Sequence, residues 1–164
     1  HWWTPRFAES ALMYFEEDQV LTLDGLYVAA FFDFVTNVSL ADYCARHAIP
    51  SPTAESSLHS TIVSSRLPVD FSPLHEVDAH ATPLRLECWD TQSGKTLVLV
   101  LESEYLQTRF DYAKSKGATF DYDEYTPHIT ISYDIGDYDW TKLPVPNFTL
   151  NIIGEYSEPL SSSV

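Results

Sequence analysis

The pattern of apolar and polar positions predicts a strand, a helix and a second strand in the first third of the chain. Residues 26–32 are apolar or aromatic without a break, as expected of a strand that is buried on at least one face. A helix is predicted next, because Ser39 with Asp42 resembles a capping box and apolar positions then recur at helical spacing until Pro50. A strand over residues 58–63 closes this first unit.

The same order of elements recurs in the second half of the chain. The apolar run over residues 97–101 predicts a strand over residues 96–102, and a helix is predicted directly after it over residues 104–116. Ser103 is suited to cap the start of this helix, and Gly117 stands where a terminating glycine is common. A strand over residues 127–133 closes the second unit. The chain is therefore interpreted as a diverged internal duplication.

Two further strands, over residues 84–89 and 148–156, complete the prediction. A chain of 164 residues that is 45% hydrophobic can bury one sizeable core but is too short for two. Because the regular pattern begins at Gly25, we expect residues 1–24 to form an N-terminal extension and residues 25–164 to form one α+β domain.

Membrane insertion and secretion are not indicated by the pattern. The sequence contains no run of about 18 apolar residues and no basic segment that leads into an apolar stretch and a cleavage site. We therefore expect a cytoplasmic protein with no membrane partner.

The charge balance bears on the class of partner. Nine Lys and Arg residues stand against 24 Asp and Glu residues, which gives a formal net charge of -15. Long nucleic acids are bound through many phosphate contacts to clustered basic side chains, and no such cluster is present. A long RNA or DNA partner is therefore not expected. A small anionic ligand in a recessed site remains compatible with this charge.

The candidate chemistry lies on the closing strand of each unit, where His59-Ser60-Thr61 and His128-Ile129-Thr130 occupy corresponding positions. Side chains at i and i+2 of a strand share a face, so each strand presents an imidazole beside a hydroxyl. One histidine can accept the proton of an attacking hydroxyl while the other protonates the leaving oxygen, and the threonines can donate to the phosphate oxygens. This arrangement requires no metal and no other cofactor.

A third His-x-Thr, His80-Ala81-Thr82, shows that the motif alone is weak. Pro83 follows it directly and is expected to interrupt a central strand, and the motif lies outside both predicted units. We therefore assign the chemistry to the duplicated pair, with His59, Thr61, His128 and Thr130 as catalytic residues.

These motifs, 69 residues apart, resemble the two-histidine (2H) phosphoesterase superfamily, and residues 58–63 and 117–133 resemble the bacteriophage anti-CBASS phosphodiesterases in particular. The resemblance covers residues 25–156. It implies a fold with two antiparallel-rich sheets that form a central groove, with helices outside. It also implies a counter-defence enzyme that hydrolyses 3′,5′-linked cyclic di- and trinucleotide messengers, such as cyclic GMP-AMP. One of His59 and His128 is then the general base and the other the general acid, and the resemblance does not say which is which.

The resemblance further implies residues that contact the substrate. Tyr27 and Trp89 match aromatic positions that sandwich a base in the family, although ordinary core packing is an alternative for both. Stacking of this kind is worth about 1–3 kcal/mol per base. Glu155, on the last predicted strand, could accept a hydrogen bond from an exocyclic amine, or it could be a solvated surface carboxylate.

Two other functions remain open from the sequence. An RNA-processing enzyme or 2′,5′-oligoadenylate phosphodiesterase of the same superfamily would use the same catalytic residues, although the acidic composition argues against a long RNA substrate. A non-catalytic protein that sequesters cyclic nucleotides would keep Tyr27 and Trp89 but would not need both His-x-Thr pairs. The sequence leaves the oligomeric state open.

Overall fold

The computed structural model describes residues 3–5 and 24–162. Most of the expected N-terminal extension and the last two residues lie outside the described part of the chain. The strands are β1 (Trp3–Pro5), β2 (Gly25–Phe32), β3 (His59–Ser65), β4 (Ala79–Thr91), β5 (Gly94–Glu102), β6 (His128–Ser132) and β7 (Leu150–Ser162). The helices are α1 (Phe34–Arg46) and α2 (Glu104–Ser115), and short 3₁₀ turns cover Glu55–Ser57 and Trp140–Lys142.

The strands form an antiparallel sheet in the order β3-β2-β7-β4-β5-β6, and β1 pairs with β7. The first predicted unit is β2-α1-β3 and the second is β5-α2-β6, and within each unit the two strands are hydrogen-bonded neighbours. The α+β class and the duplicated order predicted from the sequence are therefore confirmed. The motif strands β3 and β6 stand at opposite ends of the strand order.

The first helix begins five residues before the expected cap at Ser39. Asp33 caps it, because its carboxylate accepts a hydrogen bond of 2.8 Å from the backbone N–H of Thr36. Ser39 lies inside the helix, so the capping box predicted there is wrong. The second helix begins as predicted, since the Ser103 side chain accepts from the N–H of Leu106, and Gly117 follows its end with a φ of 97°.

Strand β4 is longer than predicted and contains the third His-x-Thr. Pro83 does not interrupt the strand, because the pairing register with β5 shifts between Pro83 and Arg85 and a bulge accommodates the missing N–H. Residues 79–81 of the same strand pair with β7. The argument from Pro83 against strand structure at His80 is therefore wrong.

The hydrophobic core lies on one face of the sheet, under the two helices. Alternate residues of the strands point into it, with Val28, Ala30 and Phe32 from β2, Leu97, Leu99 and Leu101 from β5, and Ile129 and Ile131 from β6. Burial of this apolar surface is the main term that stabilises the sheet. The intervening residues face the opposite side, which is where the motif side chains lie.

Within the described residues, no helix is both long enough and apolar enough to cross a membrane.

Candidate active site

The strand registers place the two His-x-Thr pairs on the face opposite the core. His59 is directly opposite Phe31 of β2, and Thr61 is directly opposite Ala29. His128 and Thr130 are opposite Val100 and Val98 of β5 in the same way. Opposed residues of an antiparallel pair share a face, so each imidazole stands beside its threonine, as predicted.

The two ends of the sheet meet at these motifs. The Tyr125 hydroxyl, in the loop before β6, donates to the Thr61 carbonyl of β3 over 2.8 Å. The Thr53 hydroxyl, in the loop before β3, donates to the Thr130 carbonyl of β6 over 2.8 Å. The sheet therefore curls until its two end strands face one another.

Equivalent hydrogen bonds hold the two imidazoles. The Nδ1 atom of His59 lies 2.7 Å from the Ser57 carbonyl, and the Nδ1 atom of His128 lies 2.8 Å from the Thr126 carbonyl. A carbonyl oxygen can only accept, so each Nδ1 carries the proton of the bond. Each Nε2 is thereby left for a reacting group, which is the arrangement that proton transfer requires.

The electrostatic surroundings of His128 favour its neutral form. Burial lowers the pKa of His128 below its usual range, and the nearby His59 lowers it further, while the bond to Thr126 and the charge of Glu87 oppose this shift. Glu158 lies within electrostatic reach of His59, and burial raises the pKa of this carboxyl while His59 opposes the change. The two halves therefore differ in charge environment although their hydrogen bonds match.

Tyr27 lies beside the first motif. Its hydroxyl is 2.8 Å from the Thr61 hydroxyl, and its ring meets His59 edge-on with centroids 6.4 Å apart. Only 8% of the residue is exposed, and burial raises its pKa above the usual range. This placement leaves little of the ring surface for a base, and it gives Tyr27 a direct contact with a motif hydroxyl.

Trp89 lies beside the second motif. Its ring centroid is 4.6 Å from that of His128, at an interplanar angle of 68°. The indole N–H donates to Glu87 over 2.8 Å, and Arg85 donates to the same carboxylate. These two bonds hold the pKa of Glu87 below its usual range, so Glu87 carries a negative charge close to His128.

Sequence reasoning missed Arg85 and Glu87. They stand four and two residues before Trp89 on β4, opposite Val100 and Val98 of β5 respectively, and therefore on the same face as the second motif. The alternation of residues 85, 87 and 89 along a strand was the signal that could have found them.

Glu155 is not at this face. It is opposite Ala30 of β2, a core residue, and its side chain is fully buried on the side of α2. Arg109 donates to both carboxylate oxygens over 2.8 and 2.9 Å, and Tyr105 and the Leu74 N–H also donate. The alternative of a solvated carboxylate is therefore wrong. The structure also argues against a contact between Glu155 and the substrate. Both carboxylate oxygens already accept hydrogen bonds, and they lie on the face opposite the two motifs.

The third His-x-Thr lines a separate cavity. His80 and Thr82 lie at its wall with residues from the end of β5 and the start of α2, and the cavity has a volume of about 550 Å³. Pro127 is the lining residue next to the second motif, while His59 and His128 are not among the lining residues. His59 is close enough to His128 to act on its pKa, whereas His80 lines a cavity to which neither of these histidines contributes.

Comparison with known proteins shows the family that this chain resembles. A family model described as "Anti-CBASS protein Acb1" matches residues 24–164. The anti-CBASS protein Acb1 of Enterobacteria phage T4 is 43% identical over 139 residues, which cover 83% of this chain and 88% of that protein. The corresponding protein of Salmonella phage S16 is 40% identical over 136 residues, with 83% and 88% covered.

Solved structures show the same fold at much lower identity. Escherichia coli LigT complexed with phosphate matches with a TM-score of 0.56 and 16% identity, over 85% of this chain and 88% of that chain. LigT complexed with 3′-AMP matches with a TM-score of 0.55 and 16% identity, over 86% and 90%. The likeness confirms the expected 2H phosphoesterase fold.

Proposed function

This chain belongs to the Acb1 family of anti-CBASS proteins, and from that premise we propose that it hydrolyses 3′,5′-linked cyclic di- and trinucleotides, such as cyclic GMP-AMP, without a metal. It is a phosphodiesterase of phage counter-defence, acting on cyclic nucleotides. The observation that carries the proposed chemistry is the pair of histidines on facing strands, each with Nδ1 bound to a carbonyl and Nε2 left for proton transfer.

We assign the general base to His128 and the general acid to His59. A base must be neutral before it acts, and the lowered pKa of His128 favours that state near neutral pH. His59 is then the histidine left to give the proton, and Glu158 lies within electrostatic reach of it. His128 then takes the proton of the attacking hydroxyl or water, and His59 gives a proton to the leaving oxygen.

The two motif threonines complete the proposed clamp. Thr61 and Thr130 stand beside their histidines on the same face, where their hydroxyls can donate to the non-bridging oxygens as negative charge develops. The Tyr27 hydroxyl binds the Thr61 hydroxyl and restricts its rotation. Tyr27 is therefore proposed to act on the substrate mainly through Thr61.

Trp89 is the better supported of the two aromatic contacts. It is partly exposed next to His128, and Glu87 fixes the orientation of its indole. When the phosphate of a nucleotide lies between the two histidines, the base of that nucleotide could stack on Trp89. Such stacking stabilises the complex by about 1–3 kcal/mol. Stacking tolerates different bases, so this contact is compatible with several cyclic messengers.

Charge favours a compact substrate. A net charge of -15 repels a long polyanion, and the sequence holds no cluster of Lys and Arg to bind one, whereas a small ring presents only two or three phosphates. This consideration favours cyclic oligonucleotides over the RNA-processing alternative. It also fits action in the cytoplasm of an infected host cell, where such messengers would be met.

The substrate proposal is tested by cleavage rates in excess chelator. A cyclic dinucleotide, a cyclic trinucleotide and a linear oligoribonucleotide are compared at matched concentration, and product is followed by chromatography. We expect both rings to be cut at least tenfold faster than the linear chain. Equal or faster cleavage of the linear RNA would move the chain to the RNA-processing class, and loss of activity in chelator would contradict the metal-free chemistry.

A further inference from the structure

Two side-chain hydrogen bonds, one from each half of the molecule, cross to the motif strand of the other half. The Tyr125 hydroxyl donates to the backbone carbonyl of Thr61, and the Thr53 hydroxyl donates to the backbone carbonyl of Thr130, both over 2.8 Å. We refer to these two bonds as the crossing bonds. In each case the acceptor belongs to the threonine of a His-x-Thr motif, and the donor lies in the loop that leads into the other motif.

Each loop that supplies a crossing bond also holds the histidine of its own half. Thr126 follows Tyr125 directly, and its carbonyl accepts from Nδ1 of His128. In the other half, the 3₁₀ turn Glu55–Ser57 follows Thr53 closely and ends at the residue whose carbonyl accepts from Nδ1 of His59. The orientation of each imidazole therefore depends on a loop that is bound to the opposite motif strand.

The crossing bonds matter because the sheet itself does not join the motif strands. Among the described strands, β3 pairs only with β2 and β6 pairs only with β5, so no ladder fixes the distance between β3 and β6. The segment before β3 reaches β6 through the Thr53 N–H, which donates to the Ile131 carbonyl over 2.8 Å, and through a bridge from Pro52 to Ser132.

The loop before β6 has a different support. Tyr125 packs its ring on Phe110 of α2, with centroids 4.2 Å apart and the planes parallel, so helix packing holds the hydroxyl over Thr61. Thr119 of the same loop binds Ser65 and Arg66 at the far end of β3. Beside Thr61, the Tyr125 hydroxyl makes the loop's only hydrogen bond within the described residues. Thr53 instead has a backbone bond beside its hydroxyl. Loss of the Tyr125 hydroxyl is therefore expected to have the larger effect.

We propose that Tyr125 and Thr53 are positioning residues that set the separation and the orientation of the two catalytic imidazoles. The inference rests on the proposed function, since it treats His59 and His128 as acid and base for one phosphodiester. Proton transfer at both ends of one displacement requires both Nε2 atoms to lie in hydrogen-bond reach of the reacting oxygens. A misplacement of about 1 Å can cost about 100-fold in rate.

The test uses isosteric variants that remove only the hydroxyls. Tyr125→Phe keeps the ring stack on Phe110, and Thr53→Val keeps the backbone bond to Ile131. Tyr122→Phe is the matched control for the first, because Tyr122 is an exposed tyrosine of the same loop. Thr53→Ser is the rescue variant for the second, because it restores a hydroxyl at the same position.

Two readouts separate positioning from mere stability. We expect kcat on a cyclic dinucleotide to fall by about 10- to 100-fold in Tyr125→Phe and by several-fold in Thr53→Val, with KM changed less than about twofold. Thr53→Ser should recover most of the loss. In ¹⁵N-labelled protein without substrate, Tyr125→Phe should shift the imidazole signals of His128, and Thr53→Val those of His59.

The proposal is overturned if both hydroxyl-free variants keep kcat within twofold of the Tyr122→Phe control. It is also overturned if they lose stability while the imidazole signals of both histidines stay where they are in the parent protein. The nuclear magnetic resonance readout needs no substrate. Unchanged imidazole signals would therefore count against the crossing bonds even if the protein failed to cleave any cyclic nucleotide, which is the separate failure of the proposed function.

Discussion

The two halves of the molecule hold their histidines in the same way but surround them differently. Both imidazoles donate from Nδ1 to a carbonyl two residues before them on the chain. The first is bordered by Tyr27 and lies within reach of Glu158, while the second packs against Trp89 close to the charged Glu87. Duplication thus supplies two equivalent imidazoles, and the neighbouring side chains can divide the roles of acid and base between them.

The largest expected effect is the loss of cleavage rate when each histidine is replaced by alanine. This loss is compared on two substrates that differ in their leaving group. Loss of a general acid or base costs about 10²- to 10⁴-fold in rate. Because His59 is assigned as the acid, the defect of His59→Ala should shrink at least tenfold on a p-nitrophenyl phosphodiester, whose leaving group needs no proton. The defect of His128→Ala should persist. Steady-state rates on both substrates give the comparison.

If the p-nitrophenyl substrate instead restored the rate of His128→Ala and not that of His59→Ala, then His128 would be the general acid and His59 the general base. A change of fold is excluded by comparing the circular dichroism spectra and the melting temperatures of both variants with those of the parent protein.

A second contrast is between the sheet face that carries the two His-x-Thr motifs and the buried ion pair of Arg109 and Glu155 on the opposite face. Arg109 and Glu155 are 14% and 0% exposed, and removing one member of a buried pair leaves the other charge without its partner. Glu155→Gln should therefore lower the free energy of unfolding by about 3 kcal/mol. KM and kcat of the folded fraction should change less than about twofold. Urea unfolding and steady-state kinetics measure the two quantities.

A rise in KM of tenfold or more for Glu155→Gln, with little loss of stability, would instead restore the substrate contact that the sequence suggested. Glu76→Gln is a suitable control, because it removes the same charge from an exposed position.

The smallest expected effect is on the pH profile of kcat/KM, through the pKa of His128. The negative charge of Glu87 raises the pKa of His128, so Glu87→Gln should lower that pKa further. Since His128 acts as the neutral base, the acid-side midpoint of the kcat/KM profile should move to lower pH. Gln can still accept from the Trp89 N–H, so the indole should keep its place.

Profiles recorded from pH 4 to 9 for the parent protein, Glu87→Gln and Glu76→Gln measure this shift. A shift to higher pH, or an equal shift in Glu76→Gln, would contradict the electrostatic relation between Glu87 and His128.

Much of the fold could be predicted from the sequence because its signals are local. The apolar run of β5 and the Ser103 cap of α2 specify their elements within a few residues, and the duplicated His-x-Thr pairs pointed to the facing strands. The start of α1 was missed because Ser39 with Asp42 resembles a capping box, whereas Asp33 is the residue whose carboxylate binds the first turn. Pro83 was misread because a bulge depends on the register with β5.

The rest of the site depends on distant partners that no local pattern reveals. Glu155 is buried by Arg109, which lies 46 residues earlier in the chain, and Tyr125 reaches Thr61 across 64 residues. The role of Arg85 and Glu87 follows from the face of β4 that they share with Trp89, and that face is set by pairing with β5. Such contacts arise from packing, so they become visible only once the sheet has curled.

The claim that the two halves act as one catalytic unit is tested most directly by turnover of a cyclic dinucleotide in His59→Ala, His128→Ala and the double variant. Residues that act as a unit are strongly non-additive, because the loss of either partner already disables the shared step. We expect each single variant to lose at least about 100-fold in kcat, and the double variant to be no more than a few-fold slower than the slower single variant. Losses that multiply in the double variant, or a single variant within tenfold of the parent protein, would contradict the paired mechanism.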